Sequence, residues 1–73
     1  MTTFETIKAK LEEYFEFTIT EATTFASLEM DSLDQIEVQM LIESAFDIIV
    51  PEVEWLAVKN VTEAVALVDS ILN

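Results

Sequence analysis

Residues 31–51 decide the fold: Asp31-Ser32-Leu33-Asp34-Gln35-Ile36-Glu37-Val38-Gln39-Met40-Leu41-Ile42-Glu43-Ser44-Ala45-Phe46-Asp47-Ile48-Ile49-Val50-Pro51. Asp31 is a good N-cap, because a short carboxylate can accept from the unpaired amides of a first helical turn. The spacing that follows predicts a helix from Ser32 to Phe46. On a wheel at ~100° per residue, Val38, Ile42, Ala45 and Phe46 form one apolar arc, the natural core face. Leu33, Ile36 and Met40 form a second arc on roughly the opposite side, with Glu37 and Glu43 among them and Asp34 nearby. Ile48-Ile49-Val50 has the composition of a strand, yet no partner strand is in sight and Pro51 ends it, holding Val50 extended. Pro51 suits the first position of a short helix reaching about Val58.

The flanks are also helical. Thr2 and Glu5 have the spacing of a capping box, and Phe4, Ile7, Leu11 and Phe15 then recur every three or four residues as one buried stripe. Residues 17–31 carry Thr18, Thr20, Thr23, Thr24 and Ser27, which favour turns and local side-chain bonds; Phe25 and Leu28 read as anchors tying that loop to the core. A last helix is expected over about Thr62 to Leu72, with Val61, Val65, Val68 and Leu72 on its buried side and Glu63 complementing its dipole. The fold class is therefore all-α: a small bundle of three main helices plus one short helix, forming a single domain over residues 1–73.

Composition narrows the function. The 73 residues include 15 acids, three lysines, no arginine and no histidine, for a net charge of −12. Lys10 and Lys59 bracket twelve acids with no base between them. Such a surface repels nucleic acid and anionic lipid and draws basic protein partners, unless the acids serve only for solvation. At 52% hydrophobic residues the chain is no disordered acidic tail. Without cysteine there is no disulfide, thiolate metal site or cysteine nucleophile. Met1-Thr2-Thr3-Phe4-Glu5 lacks the basic and apolar regions of a secretory signal, and the longest apolar runs fall far short of the ~20 residues needed to span a bilayer. A cytoplasmic, monomeric protein is the simplest expectation.

Ser32 is the residue to explain. A serine nucleophile needs a base, and there is no histidine anywhere and no lysine within twenty residues of it. Catalysis by this serine is close to excluded. The Asp31/Asp34 pair lacks the pattern of a calcium loop, so no specific metal site is expected, only loose divalent-cation binding by the acidic surface. Two readings of Ser32 remain open: a capping residue, or a hydroxyl placed at a helix N-terminus where a phosphate ester would be favoured. The second apolar arc is open in the same way. It either packs under the 17–31 loop or serves as an exposed docking stripe, with an adaptable Met among acids that steer basic partners.

The run Leu28-Glu29-Met30-Asp31-Ser32-Leu33-Asp34, then Ile36-Glu37-Val38, Met40, Ile42-Glu43, Phe46-Asp47, Val50-Pro51 and finally Val61, Ala64-Val65 and Val68, resembles the acyl carrier protein family. The likeness runs from about Phe25 to Ile71. Asp-Ser-Leu alone is a weak tripeptide; opening an acidic helix of this length, followed by an aliphatic-Pro pair, it is specific. The resemblance implies that a phosphopantetheinyl transferase (holo-acyl-carrier-protein synthase) esterifies Ser32 with 4′-phosphopantetheine from coenzyme A, with Asp31 and Leu33 flanking the attachment point. It implies docking through Asp34, Ile36, Glu37, Met40 and Glu43 to basic surfaces of ketosynthases, reductases and acyltransferases. It also implies an acyl pocket between helices, for which Phe25, Val38, Ile42, Phe46, Val50, Val58, Val61, Val65 and Val68 are candidates that read equally well as plain core.

The expected role is a phosphoprotein carrier in fatty-acid biosynthesis with no enzymatic activity of its own. A polyketide, peptidyl or D-alanyl carrier, or an acidic helical interaction module that is never modified, are the alternatives. Two departures stand out. Glu29 occupies a position where the family commonly has glycine, and Trp55 stands where it usually has something small. Trp55 could fill the acyl cavity, shorten it, or lie on the surface as a contact.

Overall fold

The computed structural model describes residues 2–73, so Met1 of the N-terminal stretch quoted above lies outside it. Its elements are α1 (Thr3–Phe15), a 3-10 turn (Ala26–Leu28), α2 (Ser32–Phe46), α3 (Glu52–Leu56) and α4 (Val61–Leu72). Helix α1 packs against both α2 and α4, and the short α3 bridges α2 and α4. The all-α expectation holds, with one hydrophobic core shared by the four helices and the long loop.

Local chemistry explains the boundaries. Thr2 and Glu5 form the expected reciprocal capping box at α1. Asp31 caps α2, accepting from the Asp34 N–H at 2.8 Å while the Asp34 carboxylate reaches back to the Asp31 N–H. Helix α3 is shorter than expected. Pro51 has φ −59° but an extended ψ of 126°, so it precedes the helix and does not form its first turn, and α3 ends at Leu56, two residues before Val58. Helix α4 begins one residue early, at Val61, because the Asn60 side chain accepts from the Glu63 N–H at 2.8 Å.

The core holds Ile7, Leu11, Val38, Ile42, Val50, Val61, Ala64 and Val68, with Phe25 and Leu28 anchoring the loop as expected. Three assignments change. Leu72, the last residue of α4, and Ala45, at the outer edge of the core arc, are exposed. Ile19, unmarked by any periodicity, is fully buried; its N–H donates to the Glu12 carboxylate at 2.9 Å, which fastens the loop to α1. Ile48-Ile49-Val50 is not a strand, as expected; the Ile48 N–H donates to the Glu43 carbonyl at 3.1 Å, and α2 side chains take both backbone groups of Val50.

Candidate functional site

Ser32 is the first residue of α2 and is exposed. Among the described residues its hydroxyl has no hydrogen-bond partner, and the Ser32 and Leu33 amides, in the first helical turn, have no intrahelical acceptor. The capping box absorbs the Asp34 amide and fixes the backbone geometry around them. A free hydroxyl beside free amides, at the positive end of a helix dipole, suits a covalently held phosphate.

Beyond Ser32 the second apolar arc of α2 divides. Leu33 and Met40 are 65% and 61% exposed, whereas Ile36 is half-buried. Glu37 is exposed between them, and Tyr14 of α1 crosses to this face. The Tyr14 hydroxyl lies 2.5 Å from Glu37 Oε2 and 3.1 Å from Asp34 Oδ1. The phenol is the donor, and hydrogen bonding to Glu37, with partial desolvation and Asp34 adding to it, drives its pKa well above the ordinary tyrosine value. A groove of about 480 Å³ lined by Tyr14, Glu37, Met40 and Leu41 runs along this side.

The opposite edge of α2 is used differently. Gln35, Gln39 and Glu43, spaced four apart, form a polar ladder that grips the chain after α2. Glu43 accepts from the Val50 N–H at 2.7 Å, Gln39 donates to the Val50 carbonyl at 2.8 Å, and Gln35 donates to the Trp55 carbonyl at 2.9 Å. The Trp55 indole N–H returns a bond to the Gln35 carbonyl at 2.7 Å. Glu43, grouped with the docking residues on the sequence, is half-buried and gives one carboxylate oxygen to the Val50 N–H. The spacing of four among two amides and a carboxylate was the available signal for the ladder.

Trp55 is fully buried, which removes the surface-contact reading; its ring lies 5.7 Å from that of Phe25. Of the acyl-pocket candidates, Phe25 and Val58 line a groove of about 450 Å³ together with Met30, two residues before Ser32. Val38, Ile42, Val50, Val61 and Val68 are packed core, and Phe46 and Val65 are half-buried against it. Glu29, in place of the family glycine, takes a left-handed conformation with φ 54° after the 3-10 turn. Among the described residues no helix is long and apolar enough to cross a membrane, and no three acidic side chains gather to hold a metal ion.

No solved structure matches the chain. Two plant proteins resemble it, both named acyl carrier protein 2, chloroplastic. The barley protein is 34% identical over 67 residues, covering 92% of this chain and 52% of its own. The Arabidopsis thaliana protein is 41% identical over 54 residues, covering 74% of this chain and 40% of its own. The chain thus spans about half the length of these curated relatives or less. The family model described as a phosphopantetheine attachment site matches residues 5–68, from the first turn of α1 almost to the end of α4. With that match over nearly the whole bundle, the chain belongs to the phosphopantetheine-attachment family, the carriers to which acyl carrier proteins belong.

Proposed function

We propose that this protein is an acyl carrier of fatty-acid biosynthesis that takes 4′-phosphopantetheine on Ser32 and catalyses nothing itself. The observation that carries the reading is the exposed, unpartnered Ser32 hydroxyl at the first position of a capped helix, in a chain of this family. In the loading step a bond forms from Ser32 Oγ to the β-phosphorus of coenzyme A. The pyrophosphate linkage breaks, and adenosine 3′,5′-bisphosphate leaves. The serine proton passes to a base on the transferase, since this chain has no histidine to take it. The Ser32 and Leu33 amides would then face the new phosphodiester, and Asp31 would hold the turn. When bound, the prosthetic arm supplies a terminal thiol for thioesters, which a chain without cysteine lacks.

Leu33, Ile36, Glu37 and Met40, with Asp34 held by Tyr14, are proposed as the face that meets basic surfaces of the transferase and of ketosynthases, reductases and acyltransferases. Charge complementarity favours this: α2 carries no basic residue. The plant relatives are named acyl carrier proteins, which favours acyl over peptidyl or D-alanyl carriage. Both of those proteins are named chloroplastic, so the cytoplasmic location expected from the sequence is a proposal to be tested by localising the tagged protein.

Incubation with coenzyme A and a broad-specificity transferase, read by intact mass, tests the assignment. Wild type should gain one phosphopantetheinyl group and Ser32→Ala none. A wild type that gains nothing, or a mutant that gains as much, defeats it and favours an unmodified interaction module.

A further inference from the structure

We propose that Tyr14 of α1 is a positioning residue for partner recognition, holding the Asp34 and Glu37 carboxylates together, and still charged, for the basic surface that meets α2. The inference rests on the carrier reading above and concerns how its docking face is kept in order. Asp34 and Glu37 are three residues apart on α2, so their side chains are neighbours on one side of the helix. Both reach the same oxygen of α1, the Tyr14 hydroxyl, at 3.1 and 2.5 Å. Two carboxylates this close repel one another and, left alone, favour rotamers that carry them apart. The phenol offsets that tendency with a shared donor.

The kind of donor decides what this does. A lysine in that place would hold the two acids and cancel charge. Tyr14 holds them and cancels none, since its raised pKa keeps it a neutral O–H donor. Lys8 pairs with Glu12, and among the described residues no lysine meets Asp34 or Glu37. As a clasp alone the contact gains little, because the bond to Glu37 is exposed. Glu37 also lines the groove of about 480 Å³ with Tyr14, Met40 and Leu41. A partner's arginine or lysine can lay its methylenes along Met40 and Leu41 and bring its cation to Glu37. Asp34 is the reciprocal member of the cap before Ser32, so the same hydroxyl ties α1 to the turn that is loaded.

The test is phosphopantetheine transfer with the unmodified protein as the varied substrate, KM and kcat being read separately. Tyr14→Phe keeps the ring and its edge-on contact with Phe15, centroids 4.7 Å apart, and removes only the hydroxyl. It should raise the KM for the carrier about three- to tenfold, through the re-ordering of two freed side chains, and leave kcat within about twofold. In a Glu37→Ala background the same change should raise KM by a smaller factor, because one of the carboxylates it holds is gone. An unchanged KM in Tyr14→Phe, a matching loss of kcat, or the same rise in KM with and without Glu37 overturns the role and leaves Tyr14 a clasp between helices. If Tyr14→Phe is unfolded at the assay temperature, Glu37→Asp takes its place. That change keeps the charge and withdraws it from the phenol by one methylene; the same rise in KM is expected, and a wild-type KM overturns the proposal. Failure of the carrier reading appears separately, as a wild type that gains no mass at Ser32.

Discussion

The first turns of α1 and α2 are built alike. Each has a capping box, Thr2 with Glu5 and Asp31 with Asp34, and each places a hydroxyl residue at the first helical position, Thr3 and Ser32. They differ in what the hydroxyl meets. Thr3 Oγ1 donates to Asp69 of α4 at 2.5 Å, part-buried and across the bundle. Among the described residues Ser32 Oγ meets no partner. The same local device thus serves as a clasp between chain ends in one place and as an open attachment point in the other. What separates them is the tertiary surroundings, not the cap.

The largest difference should appear in loading. Ser32→Ala is expected to abolish phosphopantetheine uptake while moving stability by no more than about 0.5 kcal/mol, since an exposed hydroxyl without partners is lost at little cost. Thr3→Val should do the reverse, leaving uptake intact and costing about 1 kcal/mol through the lost bond to Asp69. Intact mass and thermal melting on the same two variants check both. Uptake retained in Ser32→Ala would erase the distinction between the two sites.

Next come the caps. Thr2→Ala and Asp31→Ala should each cost about 1 kcal/mol, or roughly 4–8 °C in a domain of this size. If the two turns differ as described, only Asp31→Ala should also slow loading, because only there does the cap hold a turn that a partner must approach. Equal loading rates in the two variants would make Asp31 a structural cap and no more.

The approach to α2 differs as well. The chain enters it through Glu29 at φ 54°, where a Cβ crowds the backbone, and the sequence contains no glycine to relieve such positions. Glu29→Gly should stabilise by about 1 kcal/mol, whereas Glu29→Ala, which keeps the Cβ, should stay within about 0.5 kcal/mol of wild type. A gain in the alanine variant equal to that in glycine would move the cause from backbone conformation to the removal of one acid from a crowded surface.

These contrasts show where the sequence was legible. The boundaries of α1 and α2 and the anchors Phe25 and Leu28 follow from periodicity and capping, which act over a few residues, whereas the pattern alone leaves open whether Leu33 and Met40 are exposed or covered by the 17–31 loop. The polar ladder of Gln35, Gln39 and Glu43 did not emerge, because its partners are backbone groups of Val50 and Trp55, and a sequence does not reveal which amides a loop will leave unpaired. Ile19 was hidden for the same reason: its burial depends on Glu12 holding its N–H. Trp55 was recognised as unusual, but its position inside the core required knowing that Gln35 would meet it at both ends.

The smallest expected effect concerns acid. Glu5 accepts from the Thr2 N–H at 2.8 Å, and this bond, with the Thr2 side chain adding to it, holds its carboxyl below the ordinary 4.5. A depressed carboxyl pKa means that the unfolded chain takes up the proton first. The contribution to stability is therefore complete above about pH 4.5 and is lost as pH falls through the lower folded value. Glu12, lowered by the Ile19 N–H and then by Lys8, behaves with the same sign. Acidification also relieves repulsion within a chain of net charge −12, so the absolute melting temperature is a poor readout. The difference between wild type and Glu5→Gln removes that shared background. Glutamine can still accept from the Thr2 N–H but does not titrate, so the wild-type advantage should shrink as pH drops from roughly 6 to 3. An advantage that stays constant over that range would mean that the α1 box draws nothing from the charge of Glu5, and that the two helix starts differ only in what their hydroxyls meet.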